Sequence, residues 1–158
     1  MDFATTAPAD YDEVLTATAI GDTDGKPGGV GPVSPCIAEQ PDDAPAIFSD
    51  FATLGSDAAH VVTAPGVCVG STFGDAKSDN AYASGSGTSF ASPIVAGTVA
   101  LCIDSGACAG LTPAQIVRKI VSDAAAYNRA NPGYGFQGDP LRPISGKYYG
   151  YLIRAALY

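Results

Sequence analysis

Ser84-Gly85-Ser86-Gly87-Thr88-Ser89-Phe90-Ala91-Ser92-Pro93 is the stretch of this chain whose residue types and order could do chemistry. Its glycines let backbone pass close to a bound molecule. The apolar and small residues from Thr88 to Leu101 follow at once and read as a helix of about four turns. Ser89 then stands at a helix N-terminus, where the first amides have no partner inside the helix and favour negative charge. A serine so placed can act twice, its hydroxyl as nucleophile and its own N–H as a donor to the oxyanion. Ser and Thr also cap core helices at such points without any catalytic role. The residue types alone do not separate these two uses.

The elements that would hold this segment follow from patterning. Tyr11 to Ile20 is rich in β-formers and small residues and reads as a buried strand. Residues 21–45 are crowded with Gly, Pro and Asp and read as a long, solvated loop, without the spacing of an EF-hand. Ala59–Ala64, halted by Pro65-Gly66, and Val67–Thr72 are two further strand signals. The polar stretch GDAKSDNAYASGSG cannot form a core element. The helix from Thr88 reads as buried on every side, and Pro93 requires it to begin just before that residue. Thr112-Pro113-Ala114-Gln115 has the form of a capping box. It opens a second helix to about Ala124, with Ile116, Val117, Ile120 and Val121 on its apolar stripe. Residues 147–155 read as a short strand or turn followed by a terminal helix. Strands alternating with apolar helices indicate an α/β layer fold.

Composition removes several classes of function. With 16 acidic against 8 basic residues, a net charge of -8 and no basic cluster, nucleic acid and anionic membranes are not expected partners. No apolar run is long enough to span a bilayer. The N-terminal MDFATTAPADY lacks the basic and apolar regions of a signal peptide. Gly133–Gly138 spells GxGxxG, but Asn131-Pro132 before it and Asp139-Pro140 after it make it a loop rather than a dinucleotide site. Neither a P-loop nor a GxSxG elbow occurs. Cys36, Cys68, Cys102 and Cys108 match no metal pattern, and their even number suits two disulfides and an oxidising compartment. Three pairings are open. The short spacing of Cys102 and Cys108 favours a local bridge, which would leave Cys36 with Cys68.

Gly87-Thr88-Ser89-Phe90-Ala91-Ser92-Pro93 followed by Val95-Ala96-Gly97 resembles the nucleophile signature of the subtilisin-like serine proteases, GTSMASPHVAG. Phe90 replaces its Met and Ile94 its His. Pro8-Ala9-Asp10-Tyr11 with Val14–Ala19 resembles the family's PAxYxxVIxVxA strand, and Phe48–Phe51 its FSNxG turn. Ala64–Val67 with Ser71-Thr72 resembles its APGxxIxST stretch, and Tyr149-Gly150 with Leu152 and Ala155 its closing YGxGxVxA. The resemblance implies a partial subtilisin-like three-layer α/β fold, mostly parallel sheet, with a buried central helix starting near Ser89. It also implies a secreted serine-type endopeptidase acting on polypeptides, with Ser89 as the acylated nucleophile. No cofactor or metal ligand is assigned, calcium being implied by the family alone.

The family's catalytic Asp and His and its oxyanion Asn precede the PAxY strand, which here begins near residue 8. Residues 1–158 therefore read as the C-terminal half of a peptidase domain, whose N-terminal half is a required partner. The single histidine, His60, has the wrong order and spacing for the base and reads as a surface or edge-strand residue. Without a base the serine hydroxyl has no route to lose its proton, so the chain alone is expected to be inactive. A catalytically dead peptide-binding module is the alternative reading.

Overall fold

The computed structural model describes residues 1–53, 55–75 and 78–158. The β-branched and small residues of Thr16–Gly21 form β1, at the centre of the chain's main sheet. Its partners are the two-residue β2 (Ala44–Pro45), β3 (Val61–Pro65) and the two-residue β6 (Tyr151–Leu152), in the order β2-β1-β3-β6. β1 and β3 run parallel with Thr16 opposite Val61 and Ala19 opposite Ala64, and β3 and β6 are parallel as well. Only β2 is antiparallel. The strand expected from Tyr11 begins at Thr16, because residues 12–14 form a turn closed by Val14 N–H to Tyr11 C=O.

The period of two in these strands sorts the sheet's faces. Ala19, Val62 and Ala64 point to one side, where they join Ala91, Val95, Ile120 and Ala124 of the helices α1 (Thr88–Asp104) and α2 (Pro113–Ala130) in the main core. The other side is covered by irregular chain, which packs Phe3 on Val61 and Phe136 and Tyr149 on Ile20. There the Thr18 hydroxyl donates to Tyr149 C=O at 2.5 Å and lies 2.7 Å from the Thr63 hydroxyl. The architecture is a mixed α/β fold on a mostly parallel sheet, consistent with part of a subtilisin-like fold.

α2 extends six residues beyond the expected end, to Ala130. Its start is as expected: Gln115 N–H donates to Thr112 Oγ1 at 3.4 Å, and Thr112 N–H donates to the Gln115 side chain at 2.8 Å. Thr112 is exposed, so Thr112→Ala removes a cap without disturbing packing and is expected to cost about 1 kcal/mol. Urea unfolding measures this directly, and an unchanged midpoint would show the box to be idle.

α1 departs from expectation in its burial. Ala91, Val95, Thr98 and Cys102 form a buried stripe, but Ser92, Pro93, Ala96, Gly97 and Ala100 are exposed, and Leu101 and Ile103 are 46% and 53% exposed. Burial on every side is met on one face only, because the described residues supply a sheet for that face and leave the opposite one exposed. Of the polar stretch after Phe73, Ala76 and Lys77 lie outside the described residues, while Ser78–Gly85 forms a strand. β4 (Val69–Asp75) and β5 (Ser78–Gly85) make a two-stranded antiparallel ribbon of their own.

Two loops are organised by buried carboxylates. Asp139, fully buried, accepts from Leu141 N–H at 2.9 Å, Arg142 N–H at 2.8 Å and Phe136 N–H at 3.1 Å, and from the Arg142 guanidinium at 2.5 Å. That guanidinium also donates to the carbonyls of Pro132, Tyr134 and Phe136. The GxGxxG segment is thus a loop wrapped around one ion pair. In the 21–45 loop, expected to be solvated, Asp42 and Asp43 are instead buried. Their carboxylates accept from the amides of Thr23 and Gly31, and of Gly28 and Gly29, because a glycine-rich turn without a core of its own needs internal acceptors.

Candidate active site

Ser89 is the second residue of α1 and is exposed to solvent. Two close backbone approaches hold it there. Gly87 N–H donates to Gly66 C=O at 2.8 Å, fastening the turn before the helix to the chain leaving β3. A Cβ on Gly66 would come within 2.6 Å of the Ala19 Cβ and 2.9 Å of the Gly87 oxygen, so no larger residue fits. Behind it, the Phe90 ring lies so close over Gly85 that a Cβ there would meet it at 2.1 Å. The Ser86 hydroxyl accepts from Cys68 N–H at 2.9 Å, and Cys68 is bridged to Cys36. The turn before α1 is therefore tied to β3, to the ribbon and, through the disulfide, to the 21–45 loop. Cys102 and Cys108 form the second, local bridge.

Pro93 is the sixth residue of α1 rather than part of its first turn. Lacking an N–H, it cannot donate to the carbonyl four residues back, which belongs to Ser89. The loss is cheap here because both residues face solvent. It leaves Ser89 with less helical hydrogen bonding than any mid-helix residue has. Phe90 N–H turns back to Gly87 C=O at 3.0 Å, while the Thr88 and Ser89 amides lie ahead of the first helical carbonyl they could bond. A substrate oxygen arriving at Ser89 would meet the open, positive end of a 17-residue helix.

His60 is not a surface residue. It ends the 3₁₀ turn Asp57–His60 at the start of β3 and is 2% exposed, because Phe3 and the N-terminal segment fold over it. Ser89 lies beyond the other end of that strand, whose five residues span about 16 Å. The chain's one imidazole therefore does not reach the serine. Asp22, Asp42 and Asp43 are the three-residue acidic group among the described residues whose oxygens approach within 4.8 Å. Burial pushes the Asp43 carboxyl up despite the Gly28 and Gly29 amides. Burial acts on Asp42 too, but the Thr23 and Gly31 amides and the Thr23 hydroxyl outweigh it and hold that carboxyl low. Both are accounted for as loop anchors.

The arrangement of an exposed serine at a helix start, clamped between the APG glycine and the turn before it, coincides with a family-level match. The subtilase family model covers residues 4–137. The chain belongs to the subtilase family. The match takes in the N-terminal segment, β1, the 21–45 loop, the whole of α1 and all of α2. No curated protein and no solved structure matches the chain. As a subtilase it is a serine peptidase by family, one that acts on polypeptides. No helix of the described residues is long and apolar enough to cross a membrane. Its two disulfides suit an extracellular location. The GTSFASP motif pointed to Ser89. The Gly66–Gly87 clamp was legible only as the APG block, and the Ser86 hydroxyl bond carried no sequence signal.

Proposed function

We propose that this subtilase chain is the nucleophile-bearing C-terminal half of a secreted serine endopeptidase domain, with Ser89 as the residue acylated by substrate. The observation that carries the reading is the exposed Ser89 hydroxyl at the open N-terminus of α1, in a turn clamped by Gly66. Ser89 Oγ attacks the peptide carbonyl, and its proton passes to a histidine supplied by the other half of the domain and held there by an aspartate. The oxyanion is received by Ser89 N–H together with a donor from that same half. The proton then goes to the leaving amine, and water hydrolyses the acyl-enzyme.

The other half has a natural place to dock. Alternate residues of β1 direct their N–H and C=O groups outward, and Ala19 uses both of its own, with the Ser49 hydroxyl and Ala46 N–H. Leu15 and Ala17 share that outward edge and, among the described residues, have no backbone partner there. Their side chains line an apolar groove with Ser92, Val95, Ala96 and Val99 of α1. A strand added at this edge would cover the exposed face of α1 that leads to Ser89. No cofactor enters the reaction as proposed.

The test is a fluorophosphonate probe applied to the two halves together, with the labelled peptide identified by mass spectrometry. Label on Ser89 is expected, and only when the other half is present. Label elsewhere, or its absence from a correctly assembled domain, would favour a catalytically dead peptide-binding module.

A further inference from the structure

His60 plays no part in the site above, yet one of its ring nitrogens is left open. A carbonyl only accepts, so the 2.9 Å contact between Nδ1 and Val14 C=O puts the neutral ring's proton on Nδ1. Nε2 then carries a lone pair. It is buried and has no hydrogen-bond partner among the described residues, although the ring is 2% exposed. His60 lines a pocket of about 310 Å³ between the N-terminal segment, the 3₁₀ turn and the start of α2. Across this pocket, Asp12 Oδ1 lies 3.9 Å from Nε2.

We propose that His60 Nε2 and the Asp12 carboxylate form a binding site for a divalent transition-metal ion of the Zn²⁺ type. An imidazole that donates one N–H to a backbone carbonyl and keeps the other nitrogen bare has the outer bond that fixes metal-ligating histidines. Imidazole with carboxylate is a Zn²⁺ donor set rather than a Ca²⁺ one. Bonds of about 2.1 Å at a tetrahedral angle place two donors about 3.4 Å apart. The Asp12 side chain is 77% exposed and needs to close by only half an ångström from the 3.9 Å separation. Arg118, on the α2 wall, opposes the ion and holds the affinity below that of a structural zinc site. Water completes the coordination from the open side.

The experiment is a titration of the chain with Zn²⁺, followed by calorimetry and by the proton spectrum of its single imidazole. One equivalent is expected to bind and to shift the His60 ring resonances, with Ca²⁺ failing to compete. Asp12→Asn, at an exposed position, is expected to weaken binding about tenfold or more. His60→Gln is expected to abolish it, and Asp12→Asn carries the test alone if that variant does not fold. Asp43→Asn should leave Zn²⁺ binding unchanged. Zn²⁺ binding that survives Asp12→Asn undiminished, that leaves the imidazole resonances unmoved, or that is lost with Asp43→Asn would overturn the proposal.

Discussion

Ser89→Ala in the assembled peptidase domain is expected to lower kcat by about 10⁶, the loss subtilisin itself shows when its serine is removed. KM should change little, because the hydroxyl acts in the chemical step. The same variant should unfold at the same urea concentration as the parent. Ser89 is exposed, and among the described residues its hydroxyl makes no hydrogen bond whose loss could weaken the fold. That pairing of a very large kinetic effect with no stability effect separates a nucleophile from a helix cap, whose loss would cost about 1 kcal/mol and leave turnover intact. Removing both Ser89 and the incoming histidine should be no worse than removing either, since the groups act as a unit. Hydrolysis that survives Ser89→Ala would end the assignment.

The largest effect on stability is expected at Asp139. Asp139→Ala takes away an acceptor that satisfies three backbone amides and the Arg142 guanidinium at once. The guanidinium would remain inside a cage of carbonyls with its counter-charge gone. Breaking a buried pair in this way costs about 3–5 kcal/mol. Arg142 still reaches solvent at its edge, which places the expected value near 3 kcal/mol, a large share of a domain's total stability. Chemical denaturation measures it. Asp139→Asn keeps one acceptor oxygen and should fall between the two. A loss below about 1 kcal/mol for Asp139→Ala would mean that the loop is held by its aromatic packing instead.

These two positions also mark what could and could not be read beforehand. The place of Ser89 at a helix start was legible, because the glycine spacing before it and the apolar run after it both pointed there. α2 was legible through its capping box, though not its end, since Ala124–Ala130 continues without a stop signal until Asn131-Pro132. The role of Asp139 is not legible in sequence, because a carboxylate in a Gly/Pro loop looks like any solvated turn residue. Asp42 and Asp43 hid for the same reason. The burial of His60 comes from Phe3, 57 positions away in sequence and invisible to local pattern. β5 was missed because a free-standing ribbon needs no apolar alternation, and its Thr72–Tyr82 pairing is set by the partner strand alone. The one-sided α1 has a different cause. Its composition describes a helix enclosed all round, and the described residues cover only one of its faces.

The outward edge of β1 bears on how such a protein is made. Leu15 and Ala17 present backbone groups that have no partner among the described residues, beside an apolar groove, a template for any extended chain nearby. A ribosome releasing this segment by itself would expose that template to other newly made copies, and the product would associate more as its concentration rose. In the proposed arrangement the complementary strands are synthesised first. They would already be waiting at the tunnel exit when β1 emerges, and the edge would be closed within its own molecule before a neighbour could reach it.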